Sequence, residues 1–410
     1  MKNIILRLAW RNLWRHSKRT WLTIGAMVFS NTLLVFMISI QFGMYDLMIE
    51  NTLKVFTGHM QIQAPGYKDD KKMRQVTPHV VALAAQLREE FPTQAIAARG
   101  WAFALASSKE RSYGIGIFGV EPEFEPRVSN IPGLVNEGRY LHASGATEIV
   151  IGAVLARNLR VKIGDELTLL GSGLDGSFAA AVVNVVGIFE SGVPDIDRNF
   201  AEMPLETFQD VFYMEGAGHQ VVVSATTLDD AKLLGPEIAA ALPAGTGLVV
   251  HDWDALQPGL KQAIQADMSS AFFMYGILVI LVAFSVLNTQ LMSVLERTHE
   301  FGIVMSLGLK AGRLGRLIML ETALMGMIGL VIGAITGVIF TYWFTVNGLS
   351  IPGMEEMAAT FNLPARIYPQ VTPWTIVAGP SVVFLFTLLA SAYPALRLHR
   401  LHPVEAMRAN

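Results

Sequence analysis

The chain has 410 residues, of which 52% are hydrophobic and 16% are charged, and its mean hydropathy is +0.42. Soluble globular chains carry about 25% charged residues, so this composition indicates that much of the chain lies in lipid. The net charge of −3 is too small to favour nucleic acid as a partner. The absence of cysteine excludes a disulfide framework and a thiolate metal site.

The first 20 residues form a basic segment that we predict to be an amphipathic helix on the cytoplasmic side. Helical spacing places Ile5, Leu8 and Ala9 on one stripe. The basic residues of the opposite side are Arg7, Arg11, Arg15 and Lys18. Such a helix is suited to an anionic membrane surface. A plain topology signal of positive charge is the simpler alternative, and it is compatible with the helix.

Four apolar runs reach the roughly 20 residues that a helix needs to cross a hydrocarbon core. They predict transmembrane helices at 21–43, 271–295, 317–345 and 374–396. The first run is too long for the apolar part of a signal peptide, so we expect an uncleaved span. The third run contains glycines at four-residue spacing, which predict a smooth face for close helix packing: Gly329, Gly333 and Gly337.

Charge along the chain predicts the orientation of these spans. The segment before the first span has six basic residues and no acidic one, and the loop at 296–316 and the tail at 397–410 are also basic. The loop at 346–373 has two glutamates against one arginine. The positive-inside rule therefore predicts that both termini and the 296–316 loop are cytoplasmic. It places the segment 44–270 on the other side of the membrane.

The segment 44–270 is predicted to form an α+β domain. β-branched residues indicate strands at 182–189 and 220–224, and helical periodicity indicates helices at 78–90 and 228–242. The segment is long enough for one or two compact domains.

Several tempting motifs in this segment do not predict a ligand site. The run at 114–119 matches the dinucleotide fingerprint G-x-G-x-x-G, but it alternates like a strand and leads into Pro122 rather than into a helix. The glycine-rich run at 171–177 lacks the lysine of a phosphate loop and predicts a mobile loop or hairpin. Asp195 and Asp197 are expected in a solvated turn rather than at a cation. No catalytic or metal-binding motif is recognisable.

The loop at 296–316 combines charged and apolar residues over a short distance. On residue chemistry alone it predicts a re-entrant or surface helix that offers an apolar face to a cytoplasmic partner. The apolar residues are Phe301, Ile303, Val304, Met305 and Leu307.

Three stretches of sequence carry a family resemblance. The run E-F-G-I-V-M-S-L-G at 300–308 is followed by Arg313 and Glu321, and the run 393–408 resembles the ending P-A-x-x-A-x-x-x-x-P-x-E-A-L-R, with Leu398 at the usual alanine. The run 148–165 matches G-x-x-L-A-x-x-L-x-V-x-x-G-D. Together with the one-plus-three layout of spans, these stretches resemble the FtsX-like permease family of ABC transporters, which includes the LolC/LolE and MacB proteins.

The resemblance implies a LolC/LolE-type permease subunit in the bacterial inner membrane, with its large domain in the periplasm. It implies a separate cytoplasmic ATPase dimer that binds ATP and Mg²⁺, and a second permease copy or a paralogue. The chain itself would bind no cofactor and catalyse no reaction. The ATPase-coupling residues would be Glu300, Phe301, Gly302, Ile303, Val304, Met305, Leu307, Gly308 and Arg313.

Three activities fit this family, and the leading one is extraction of lipoprotein or other lipid-bearing cargo from the inner membrane. The second is MacB-like export of small molecules or peptides with a periplasmic adaptor. The third is FtsX-like mechanotransmission to a cell-wall hydrolase without cargo. A membrane-anchored receptor outside the family would leave the 296–316 loop without a role.

Overall fold

The computed structural model describes residues 2–15, 17–142, 145–243, 245–350 and 366–398. These residues form two compact units. The first unit comprises residues 2–45, 264–350 and 366–398, and the second comprises Asp46–Ala263. Most of the predicted loop at 346–373 and of the predicted tail at 397–410 lies outside the described residues.

The described part of the chain is rich in helices, which are numbered in chain order. They are α1 (Lys2–Arg15), α2 (Ser17–Thr52), α3 (Val80–Glu90), α4 (Glu125–Val128), α5 (Ala153–Leu159), α6 (Pro194–Asn199), α7 (Leu205–Val211), α8 (Leu228–Ala241), α9 (Trp253–Leu256), α10 (Pro258–Glu296), α11 (Thr298–Ser306), α12 (Ala311–Asn347) and α13 (Pro373–Arg397). A single π-helical turn, Leu53–Thr57, continues α2 directly, and Ile131–Leu134 is a 3-10 turn.

Four of the described helices, α2, α10, α12 and α13, are long and apolar enough to cross a membrane. The predicted count of four spans is therefore confirmed. Each predicted span lies inside a longer helix. The largest extension is in α10, which begins at Pro258 although the apolar run begins at 271.

Helix α12 packs closely against α2 through its row of glycines. A Cβ atom added at Gly333 would lie 2.5 Å from Cβ of Asn31, and one added at Gly337 would lie 2.9 Å from Cβ of Val35. The Asn31 side chain donates a hydrogen bond from Nδ2 to the carbonyl oxygen of Gly329 at 3.1 Å. The glycines thus let two helix backbones approach, which is how small residues act in membrane helices.

The second unit is built around one mixed sheet of ten strands. They are β1 (Met60–Gln63), β2 (Ala95–Ser107), β3 (Ser112–Val120), β4 (Val135–Gly138), β5 (Glu148–Gly152), β6 (Glu166–Ser172), β7 (Phe178–Phe189), β8 (Phe200–Pro204), β9 (Gln220–Ser224) and β10 (Val249–Asp252). The order is β10-β1-β9-β2-β3-β8-β5-β7-β4, and β6 pairs with β2 and β7. The pairs β3–β8 and β5–β7 are parallel and the others are antiparallel.

The predicted α+β character of this unit is confirmed. The predicted strands at 182–189 and 220–224 fall within β7 and β9, and the predicted helices correspond to α3 and α8. The glycine-rich run at 171–177 joins β6 to β7 as a hairpin. The nucleotide-fingerprint glycines lie in β3, as expected for a strand, where Gly119 leaves room for the ring of Phe208 from α7.

Alternate residues of β3 divide the second unit into two apolar cores. Ile117 belongs to the larger core, which includes side chains of α3, α5, α7 and α8. Phe118 belongs to a smaller core together with Val120, Ile131 and Phe189. Since neighbouring residues of a strand point to opposite faces, the two cores lie on the two sides of the sheet.

The expectation of a solvated turn at 195–197 is wrong for Asp197. This residue lies in α6, and its buried carboxylate accepts hydrogen bonds from the Ser191 backbone N–H at 2.8 Å and from Ser191 Oγ at 2.7 Å. The preceding loop needs an acceptor for these two donors, and Asp197 supplies it. Asp197 therefore stabilises the loop that precedes α6.

Candidate functional site

Helix α11 has an inner side that packs on the helices of its own unit. Phe301 is only 3% exposed and lies in a cluster with Val294 of α10, Leu314 and Ile318 of α12, and Leu398. Gly302 is buried as well. Two of the predicted coupling residues therefore anchor the helix and do not reach its outer surface.

The outer side of α11 carries exposed apolar side chains. Ile303, Val304 and Leu307 are exposed, and Leu307 is 82% exposed. Met305 is half-buried and packs against the Phe301 cluster, whereas Arg313 at the start of α12 is exposed. An apolar patch on so short a helix is the type of surface that a protein partner covers.

Gly308 ends α11 in a turn that only a residue with positive φ fits readily. Its φ is +96°, its N–H donates to the carbonyl oxygen of Met305 at 3.0 Å, and the N–H of Leu309 donates to that of Val304 at 3.3 Å. These two bonds form a Schellman cap, which favours glycine at this position. Gly308 was predicted as a coupling residue, and the structure gives it the role of stopping the helix.

Glu300 connects α11 to the N-terminal segment. Its carboxylate forms an ion pair with Arg15 at 2.8 Å and a looser one with Arg297 at 3.5 Å. The guanidinium of Arg297 also lies 5.0 Å from the ring centroid of Phe301. Arg297 therefore contacts both the charged Glu300 and the buried Phe301 of α11.

A second carboxylate, Glu321 of α12, extends this network into the helical unit. It is nearly buried and lies 3.5 Å from the Arg297 guanidinium, and it accepts a hydrogen bond from Asn12 Nδ2 at 2.7 Å. Arg19 pairs with Glu296 at 2.7 Å at the end of α10. The basic residues before the first span thus hold specific carboxylates as well as supplying positive charge.

The N-terminal helix differs from its predicted single apolar stripe. Ala9 and Leu13 are buried, and α1 packs against α12. Leu8 was expected beside Ala9 but is 46% exposed. Among the described side chains of the helix, Leu6, Trp10 and Trp14 are exposed apolar residues as well. The helix therefore has one side on the protein and a second apolar surface suited to lipid.

The second unit contains a buried charge cluster that the sequence prediction missed. Arg99 and Glu125 are fully buried, and Arg99 donates hydrogen bonds to both carboxylate oxygens of Glu125. Tyr140 donates to Glu202 at 2.7 Å. Burial, and then the charge of Glu125, raise the pKa of Glu202 to about 8. The sequence feature that could have indicated this cluster is the single arginine, Arg99, within the largely apolar strand β2.

Arg99 also belongs to a set of donors that bind the π-helical turn after α2. A helix end leaves carbonyl groups without partners in the helix. Here every carbonyl of the turn accepts a hydrogen bond: Leu53 from Gly58 N, Lys54 from Asn130 N, Val55 from Ser129 Oγ, Phe56 from Arg99 and Thr57 from Gln61 Nε2. This turn is consequently held in place by residues of the second unit, to which it belongs.

Two family models match the chain. Residues 20–241 match the MacB-like periplasmic core domain, and residues 272–403 match the C-terminal part of FtsX-like permeases. The first match covers more than half of the chain.

Several curated proteins are similar in sequence. The lipoprotein-releasing system transmembrane protein LolC of Xylella fastidiosa (strain Temecula1) is 27% identical over 305 residues, which cover 71% of this chain and 72% of that protein. LolE of Haemophilus influenzae is 26% identical over 321 residues, 75% of each chain. The macrolide export protein MacB of Rhodopirellula baltica is 24% identical over 197 residues, 46% of this chain and 26% of that protein.

Proposed function

The chain belongs to the family of FtsX-like permeases with a MacB-like periplasmic core domain, and on this premise we propose that it is the permease subunit of a LolC/LolE-type ABC transporter. In this proposal a separate ATPase subunit binds ATP and Mg²⁺ and drives the permease. The cargo is a lipoprotein or another lipid-bearing molecule of the inner membrane.

The observation that carries the proposal is the two-sided construction of α11. A helix that transmits force needs one face free for its partner and another held firmly by the body that it moves. Leu307 and its neighbours supply the first face, and Phe301 supplies the second. The ion pair of Glu300 with Arg15 adds a contact to the N-terminal segment. ATP-driven changes in the ATPase can act on the spans only through differential contacts of this kind.

The proposed orientation puts α11 and both termini in the cytoplasm and the second unit in the periplasm. The asymmetry of basic residues supports this orientation, because basic residues are enriched on the cytoplasmic side of membrane proteins. The periplasmic core domain match supports the same assignment. The ATPase would then meet α11 from the cytoplasm.

A second permease copy or a paralogue completes the proposed assembly. Helix α10 is the least buried of the four spans, since only 22% of its most apolar 18-residue stretch is buried. It exposes several large apolar side chains, among them Phe273, Leu281 and Phe284. A second copy and lipid are the two partners that would cover such a surface.

Reconstitution tests the proposal directly. The chain is co-expressed with a candidate stand-alone ATPase, purified as a complex and placed in proteoliposomes that contain a labelled lipoprotein. We expect co-purification, and release of the lipoprotein only with ATP. A complex that hydrolyses ATP without any release of lipoprotein would reject the cargo assignment while retaining the permease assignment.

MacB-like export is the second candidate, and the match to the MacB-like core domain is the observation that favours it. It predicts that a periplasmic adaptor, rather than a lipoprotein, stimulates ATP hydrolysis by the complex. Adding each in turn to the same proteoliposomes separates the two candidates.

A further inference from the structure

The second unit contains a cavity of about 320 Å³ that the proposed transport function does not use. It is lined by the π-helical turn after α2, by strands β1, β3 and β9, and by Leu256 and Gln257 just before α10. Its size is at the lower end of the range for small-molecule sites, which is roughly 300–1,000 Å³.

Aromatic rings form the apolar part of the cavity. Phe56 stacks on Phe118 with ring centroids 4.9 Å apart, and Phe200 lies 5.4 Å from Phe56 and 5.7 Å from Phe118. Trp101 lines the cavity beside them. These three rings in mutual contact give the cavity an apolar side that can hold an acyl or aromatic group.

The lining of the cavity also includes a buried amide without a full set of partners. Gln63 is 2% exposed and lines the cavity, and its Nε2 donates to Gln61 Oε1 at 2.5 Å. Its Oε1 atom has no hydrogen-bond partner within the described part of the chain. This oxygen is itself buried, so the Gln63 amide adds polarity to the lining without offering its acceptor to the cavity.

A lysine provides positive charge at the same cavity. Lys71 lines it, and its Nζ atom lies 5.7 Å from the Trp101 ring centroid. Lys68 also lines the cavity but is paired with Asp69 at 2.5 Å. Among the described residues, Lys71 has no carboxylate partner, so its charge can attract an anion.

We propose that this cavity binds a small anionic amphiphile, with its apolar body on Phe56, Phe118 and Phe200 and its anionic group at Lys71. The proposal does not depend on the transported cargo. A bound molecule would contact both the turn that follows α2 and the residues that precede α10.

The probe for this site is dansylglycine, which combines a fluorescent aromatic body, a sulfonamide N–H and a carboxylate. It is titrated against the full-length protein in nanodiscs, with empty nanodiscs as background. Dansylamide, which lacks the carboxylate, is the matched neutral probe. We expect saturable fluorescence enhancement with dansylglycine and a weaker dissociation constant for dansylamide.

Two variants localise the binding. Lys71→Gln should weaken dansylglycine binding by about fivefold, the size of one partly exposed ion contact, and should leave dansylamide unchanged. The control Lys72→Gln removes the same charge from a lysine that pairs with Asp70, and should have no effect. Ile196→Trp fills the cavity and should abolish binding of both probes.

Three results would overturn the proposal. They are no saturable signal above empty nanodiscs, equal affinity for the two probes, or unchanged affinity in Lys71→Gln. Because Lys71 is exposed, its variant keeps the test valid even if Ile196→Trp fails to fold.

Discussion

Single apolar residues of the loop at 296–316 that look alike in the sequence have different surroundings. Phe301 is an anchor in a core cluster, and Leu307 is the most exposed apolar side chain of the loop. We predict that Leu307→Asp abolishes co-purification with the ATPase and leaves thermal stability unchanged, because the new charge stays in water.

Phe301→Ala is the matched change on the inner side of α11. We expect it to lower the free energy of unfolding by about 3 kcal/mol, because it leaves a cavity in the cluster. Affinity capture and thermal unfolding in nanodiscs measure the two effects. Full retention of the ATPase by Leu307→Asp would contradict the assignment of this face.

The raised pKa of Glu202 predicts that the stability of the protein depends on pH. Its pKa is about 8 in the folded protein, above the ordinary value of 4.5, so the folded state binds the proton more tightly than the unfolded state. The contribution of Glu202 to the free energy of unfolding is fully present below pH 4.5 and is lost as pH rises towards 8. Between these values the free energy of unfolding falls by up to about 1.4 kcal/mol per pH unit.

Glu202→Gln should remove this slope, and the variant should be more stable than the natural protein at about pH 9, where the buried carboxylate of the natural protein is charged. The comparison is thermal unfolding of the full-length protein in nanodiscs at about pH 6 and pH 9, on the two sides of the folded-state pKa. Glu206→Gln, at an exposed carboxylate on α7, is the control and should keep the slope. If the stability of Glu202→Gln still depends on pH in the same way, another group causes the pH dependence.

At the scale of elements, the contact between α2 and α12 is sensitive to a single methyl group. In Gly333→Ala the new Cβ would meet Asn31 Cβ at 2.5 Å, so the helices must separate. We predict a loss of about 1–3 kcal/mol in stability, the usual cost of overpacking. Gly276→Ala on α10 is the control, because beyond the local backbone of its own helix no atom of the described residues lies within 4 Å of the added Cβ. Equal unfolding temperatures of the two variants in nanodiscs would contradict the prediction.

Elements with a strong local pattern could be predicted from the sequence, and elements set by distant contacts could not. The four spans follow from length and hydropathy, β7 and β9 follow from their β-branched residues, and α3 and α8 follow from helical periodicity. The sheet order could not be inferred, because β1 pairs with β9 and β10, which lie far along the chain from it. Likewise, nothing local distinguishes Phe301 from Leu307, since their burial depends on α12 and Leu398.

At the scale of the whole molecule, each unit has its own apolar cores. Among the described residues of the second unit, the cores are formed by side chains between Val55 and Val250. We therefore predict that a fragment of residues 46–263 folds alone as a soluble monomer, as expected of a domain with its own core. Circular dichroism with thermal melting and size-exclusion chromatography measure this. Aggregation without a cooperative transition would contradict it.

The pairing of β1 with β10 has a consequence for how such proteins can diversify. Met60 lies opposite Asp252, so the polypeptide enters and leaves the sheet at neighbouring strands of one edge. The two ends of the sheet-forming segment are therefore adjacent in space. Replacing everything between these ends would not require rerouting the chain that leads to α2 or α10. In the proposed transporter, cargo selectivity can thus evolve in the second unit while α11, the proposed contact with the ATPase, stays as it is.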